Sequence, residues 1–233
     1  MKSNIKFIIM VTLASLVLSG CAHAPYGKNA DALKTLENAC RFGKDLKTVR
    51  GTAIVTAKSK DASGRFSALV EAAGTNSLKL EITNILGGTE ALITINNGRY
   101  SIKLADGKSK PVSGNGSWGG IPLNWASNLF IGRFPCPERP EDLEKPEWTA
   151  DGHLRVSTKA SLHGDAEIFL YRFRKHDDSG WPESLRWERK GVFGVSVEFV
   201  FDNPEKTTGA PLKWQARSKL GEVGVKWRER DAK

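Results

Sequence analysis

The stretch Leu80 to Ile93, "LEITNILGGTEALI", decides the fold. Leu80 and Ile82 alternate with polar neighbours, and Ala91 and Ile93 do the same further on, which is the period-two pattern of two half-buried strands. Between them, Ile85 and Leu86 stand directly before Gly87 and Gly88. The glycines let the backbone fold back sharply, so the stretch predicts a hairpin with an uncharged, apolar apex. Such an apex either projects as an interfacial wedge or tucks its leucine against the sheet.

The same period extends on both sides. Upstream, Val49, Gly51, Ala53, Val55 and Ala57 alternate with polar residues, and Phe66, Ala68, Val70 and Ala72 repeat the pattern. Downstream, Asn96-Asn97-Gly98 has the chemistry of a tight hairpin leading into "GRYSIKLA". Strands resume with "EWTADGHLRVST", "AEIFLYRFRK", "ESLRWERK", "VFGVSVEFVF", "PLKWQARS" and "EVGVKWRER". The expected fold is mainly β (α+β), an antiparallel meander of about ten or eleven strands that curls into a barrel or half-barrel.

Two helices punctuate the meander. Asn29 or Asp31 opens the first, in which Leu33, Leu36, Cys40 and Leu46 recur at helical spacing over about four turns. The second lies inside "SGNGSWGGIPLNWASNLFIGRFPCPERP", where Leu123, Ala126 or Ser127, and Phe130 share a face and Gly132 suits a C-cap. The glycine-rich run before it reads as a flexible crossing loop.

The N-terminus speaks to location. "MKSNIK" is basic, "FIIMVTLASLVL" is apolar but short of the about 20 residues a membrane span needs, and "LSGC" ends on small residues before Cys21. Residues 1–20 read as a signal peptide, residues 21–29 as a tether and residues 30–233 as one domain. Leu18-Ser19-Gly20-Cys21 looks like a lipobox, with Cys21 as the acylated residue. The alternative is an ordinary signal peptide that contains a cysteine. Ala22 follows Cys21, and the absence of Asp there favours the outer membrane over the inner.

The chain carries a formal charge of +9, from which cleavage would remove only Lys2 and Lys6. An exported, anchored protein rarely meets nucleic acid, so anionic head groups or an acidic protein are the expected counterparts of its basic surface. Cys40 and Cys136 can pair, closing a loop of about 95 residues, or remain two buried thiols.

Catalytic signatures are lacking. His23, His153, His163 and His176 have no metal-ligand spacing, "SGNGSWGG" lacks the lysine of a phosphate loop, and no nucleophile elbow occurs. Asp177-Asp178 and Glu141-Asp142 sit in charge-mixed loops and read as solvated. Trp187, Trp214 and Trp227 suit either a stacking platform or the lining of a cavity. No enzyme activity, metal or cofactor is expected.

Two of the stretches above resemble one family. "LEITNILGGTEALI" is similar to the L-x-x-T-N-P-L-G-x-T-E-L segment of LolB-type outer-membrane lipoprotein receptors, and "GGIPLNWASNLFIGRFP" to their G-x-P-I-P-L-x-x-L-x-x-W-I-x-G segment. The resemblance runs from about Arg50 to the C-terminus, and the lipobox agrees with it. It implies an unclosed β-barrel whose apolar concavity holds acyl chains under short helices, with Leu123, Trp125, Leu129 and Phe130 lining or capping it. It places Leu86, with Ile85 and Gly87 beside it, at a membrane-insertion loop. It also implies the partners: a LolA-type periplasmic carrier, acylated lipoprotein cargo and outer-membrane lipid, met by a monomer facing the periplasm. Ile85 replaces the family's usual proline, and Cys40 and Cys136 lie outside the family pattern. Other expectations on the same scaffold are a tethered lipid or glycolipid carrier, and a non-transporting envelope scaffold with a side-chain-filled concavity.

Overall fold

The computed structural model describes residues 31–60, 63–118, 121–159, 166–174, 180–191 and 194–233. Helix α1 (Ala32–Arg41) comes first, followed by strands β1 (Thr48–Ser59), β2 (Ser63–Ala73), β3 (Ser77–Thr83), β4 (Thr89–Asn96) and β5 (Arg99–Leu104). Three short strands follow, β6 (Val112–Asn115), β7 (Ser117–Trp118) and β8 (Ile121–Pro122), and then helix α2 (Leu123–Ile131). The chain finishes with β9 (Glu147–Trp148), β10 (Leu154–Ser157), β11 (Ala166–Phe173), β12 (Pro182–Lys190), β13 (Val195–Pro204), β14 (Pro211–Ser218) and β15 (Gly221–Ala232).

Thirteen strands form one antiparallel sheet in the order β6-β5-β4-β3-β2-β1-β15-β14-β13-β12-β11-β10-β9. The first long strand therefore pairs with the last, Val55 opposite Val225, in the middle of the sheet. β6 and β9 are left as separate edges, so this is an unclosed barrel. The count exceeds ten or eleven because β6 and the β7–β8 ribbon lie in and around the glycine-rich run that reads as a loop. Their pairing is backbone-driven and leaves no apolar alternation to read.

The inward residues divide into two walls. β1 to β4 contribute Val49, Val55, Val70, Leu78, Leu80 and Ile95, with Ala53, Ala68 and Ala72 between them. Strands β11 to β15 contribute Phe169, Tyr171, Trp187, Phe199, Trp214 and Trp227. One wall is aliphatic and thin; the other is aromatic and thick.

Helix α1 is shorter than its spacing predicts. Asp31 caps it, its Oδ1 accepting from the Leu33 and Lys34 backbone N–H groups at 2.9 and 3.2 Å. Thr35, Leu36 and Ala39 form the buried face, whereas Leu33 is 51% exposed. Leu46 is buried but lies beyond the helix. The apparent periodicity continued past the true end.

Candidate functional site

Helix α2 lies against the inward side of the sheet. Leu123, Trp125, Ser127, Leu129, Phe130 and Ile131 are all buried, leaving only Asn124 exposed along its length. A helix that is apolar nearly all round must be covered on most sides, and the two walls supply the cover. Trp125 meets the aromatic wall, its ring 4.8 Å from Trp187 and about 6 Å from Phe169 and Phe199. Phe130 meets Trp214 edge-on at 5.5 Å and Trp227 at 6.2 Å. The three strand tryptophans are therefore wall, and no exposed stacking platform.

What remains of the concavity beneath the helix is a pocket of about 20 Å³, lined by Val55, Leu78, Leu80, Ile95, Leu129 and Phe130 among others. That volume suits one water and excludes an acyl chain. It lies against the aliphatic wall, where small side chains fall short of the helix. The closed arrangement is also imperfect. Among the described residues, Ser127 Oγ and the indole N–H groups of Trp214 and Trp227 are buried without a protein hydrogen-bond partner. A group of this kind costs about 1–3 kcal/mol where no water reaches it.

The two ends of α2 are held differently. At its C-terminus, Gly132 has φ +99°, and the Gly132 and Arg133 N–H groups donate to Leu129 and Asn128 carbonyls in a Schellman-type stop. A Cβ on Gly132 would come 2.3 Å from that of Ala210, so glycine is required twice over. The Arg133 guanidinium donates to the carbonyls of Gly43, Lys44 and Leu46. Arg230, its side chain 2% exposed, donates to the Ile131 carbonyl and pairs with Glu205 at 2.6 Å. Cys40 and Cys136 are disulfide-bonded, with Cα atoms 5.9 Å apart, so α1 is covalently tied to the segment after α2. At the N-terminus, Pro122 offers no side-chain cap. There the holds are the two-residue β7–β8 ribbon, a backbone bond from Leu123 to Gly116 and a side-chain bond from Asn124 to Glu138.

A polar cleft of about 500 Å³ opens beside this N-terminus, with Asn124, Glu138, Lys159, Glu167 and Arg189 on its walls. Burial pushes the Glu167 carboxyl up from its ordinary value, against the pull of Arg189.

The β3–β4 apex projects. Ile85 is 101% and Leu86 90% exposed. Asn84 builds the turn: its carbonyl accepts from Gly87 at 3.1 Å, its N–H donates to Gly88 at 2.9 Å, and its Oδ1 accepts from the Leu86 and Gly88 N–H groups. Gly87 takes φ +84°. Gly88, expected to share that duty, does not have the left-handed conformation. The sequence reading overlooked Asn84, whose side chain is suited to closing turns on its own backbone.

Cys21 and the rest of residues 1–30 lie outside the described residues, as do His23, His163, His176 and Asp177-Asp178. His153 is half-buried beside a turn, Nδ1 2.9 Å from the exposed Asp151. Among the described residues, no group of His, Cys, Asp and Glu is placed to hold a metal ion.

No family model and no curated protein matches the sequence. Solved structures do match the fold. A LolA superfamily protein from Nitrosomonas europaea aligns with TM-score 0.51 at 15% identity, over 87% of this chain and 94% of its own. The chain has the LolA-type fold. A DUF1329 family protein from Desulfovibrio piger aligns with TM-score 0.52 at 11% identity, over 87% of this chain and 93% of the other. A putative outer membrane lipoprotein-sorting protein domain from Vibrio parahaemolyticus gives TM-score 0.50 at 9% identity, with the same coverage. In this LolA-type fold the lidded concavity and the projecting apex belong to one sheet, and the described residues carry both.

Proposed function

We propose that this protein binds the acyl chains of lipoproteins in its concavity, receiving them from a LolA-type carrier and inserting them into the outer membrane. It acts without catalysis, and acylated Cys21 anchors it. The observation that carries the reading is the pairing, on one sheet, of an apolar concavity under a lid with a fully exposed Ile85-Leu86 apex.

Each buried methylene is worth about 0.8 kcal/mol, so a multiply acylated cargo cannot be released into water and must be passed between shielded sites. A receptor needs only a small advantage over its donor, since about 1.4 kcal/mol is tenfold in equilibrium. The membrane then binds better still. A filled concavity is also what a non-transporting scaffold would have. An apex that exposes two large apolar side chains in one hairpin marks a surface that meets lipid or another protein, and its pairing with an apolar concavity favours lipid.

The test is transfer. A LolA-type carrier loaded with labelled lipoprotein is mixed with this protein and then with liposomes, using the native chain and Leu86→Glu. Label should reach both proteins equally, and only the native chain should deliver it to the liposomes. If the label never leaves the carrier while the protein still takes up free fatty acid, the function is lipid carriage. Unchanged delivery by Leu86→Glu removes the wedge.

A further inference from the structure

We propose that acyl chains enter and leave through an apolar trough at one end of the concave face, between the β1–β2 and β14–β15 hairpin ends, with Ile121 as its gate. The proposal rests on the acyl-binding reading above and adds the route.

The lengths of the elements create the trough. β1 and β15 have 12 residues each and run about 40 Å, whereas the nine residues of α2 span about 14 Å. The helix cannot cover the whole face. The uncovered end is a trough of about 250 Å³ lined by Ala57, Gly64, Phe66, Leu220 and Val223, with Ile121 at its inner limit. Register places these residues together: Ala57 lies opposite both Gly64 and Val223, and Val55 opposite Phe66. The Phe66 ring lies across Gly64, where a Cβ would come 2.1 Å from its Cζ.

Two of these residues, Ile121 and Val223, also line the internal pocket. Trough and pocket are therefore the two sides of one thin partition. Ile121 belongs to β8, directly before α2 and at the weakly held end of the lid. A displacement of Ile121 joins the outer trough to the aliphatic wall, where the space already lies.

The occupant is a hydrocarbon chain with a polar or anionic head. The lining is mainly apolar, with Lys58 and Glu222 among the residues at its edge, and Phe66 and Leu220 remain 37% and 66% exposed at the rim. Lys58, Lys60 and Lys219 stand exposed on the same hairpins, placed for a head group outside. The apex is nearby: Thr83, at the end of β3, pairs with Ser67 of β2, so Ile85 and Leu86 project from the same end of the sheet. A chain leaving the trough would emerge on the side that carries the wedge.

The route is tested by capping its rim in folded protein. Leu220→Cys is alkylated with polyethylene-glycol maleimide, and uptake of cis-parinaric acid is followed by its fluorescence. Leu33→Cys, exposed on α1, receives the same cap as a control. The cap at position 220 should slow uptake about tenfold and the cap at 33 should leave it unchanged. Gly64→Val, which adds bulk to the trough lining where the Phe66 ring now lies, should slow uptake in the same direction without any cap. Equal rates for both capped proteins and for Gly64→Val overturn the route while leaving the concavity as the binding site. Failure of the unmodified protein to take up the acid overturns the concavity and the route together.

Discussion

The two ends of α2 differ in how they are tied, and the difference says how the lid can move. The C-terminal end is fastened by a Schellman stop, two arginines reaching four backbone carbonyls between them, and a disulfide four residues beyond Gly132. The N-terminal end has a proline without a side-chain cap, a two-residue ribbon, one backbone bond from Leu123 to Gly116 and one exposed asparagine contact, and beyond these it rests on the ring packing of Trp125. Local opening starts where few interactions must be broken. The lid should therefore hinge near Gly132 and lift at Ile121, which lies beside both the internal pocket and the outer trough.

The comparison can be broken most severely at the disulfide. Replacing Cys40 and Cys136 together by serine removes a link between residues 96 apart, for which loop-closure entropy predicts about 4–5 kcal/mol. Chemical denaturation should show most of that loss, and the two ends of α2 should become more alike in hydrogen exchange. Arg230→Met should cost about 3 kcal/mol, because Glu205 is left with an uncompensated charge and the Ile131 carbonyl loses its donor. Its denaturation midpoint should fall without loss of the sheet.

Ser127→Ala sharpens the comparison in the opposite direction. The hydroxyl is buried and unpartnered, so its removal should stabilise the closed protein by about 1 kcal/mol and slow acyl uptake. A destabilised variant would show that Ser127 has a partner in solution.

The smallest effect is a pH dependence. Burial raises the Glu167 carboxyl above its ordinary 4.5 in the folded protein. Between that ordinary value and the raised one, the folded form holds more protons than the unfolded form, so stability falls as pH rises through this window. Glu167→Gln should raise Tm near neutral pH and leave it unchanged below 4.5.

The sequence carried the long strands because their alternation has a direct physical cause, burial of one face. It carried the β3–β4 apex for a related reason, since two large apolar residues before two glycines cannot be explained by a solvated turn. Leu123, Trp125, Leu129 and Phe130 were legible as apolar, yet their contacts were not, because Trp125 meets Phe169 and Trp187 only after the sheet has curved. β6 to β8 left no pattern, since their pairing depends on backbone groups rather than side chains. The Cys40 to Cys136 pairing was one of two permitted outcomes until the fold brought α1 beside the end of the lid. The role of Arg230 was hidden too: in sequence it is one charge in a basic terminal strand, and only tertiary packing puts it against Glu205 and Ile131.

The central claim is that acyl chains occupy the concavity and lift α2 from one end. Hydrogen exchange of the full-length protein with and without palmitate tests it directly. The account predicts faster exchange at residues 121–126 when palmitate is bound, with residues 129–136 as protected as before. Unchanged exchange along the whole helix, or equal release of both ends, would contradict it.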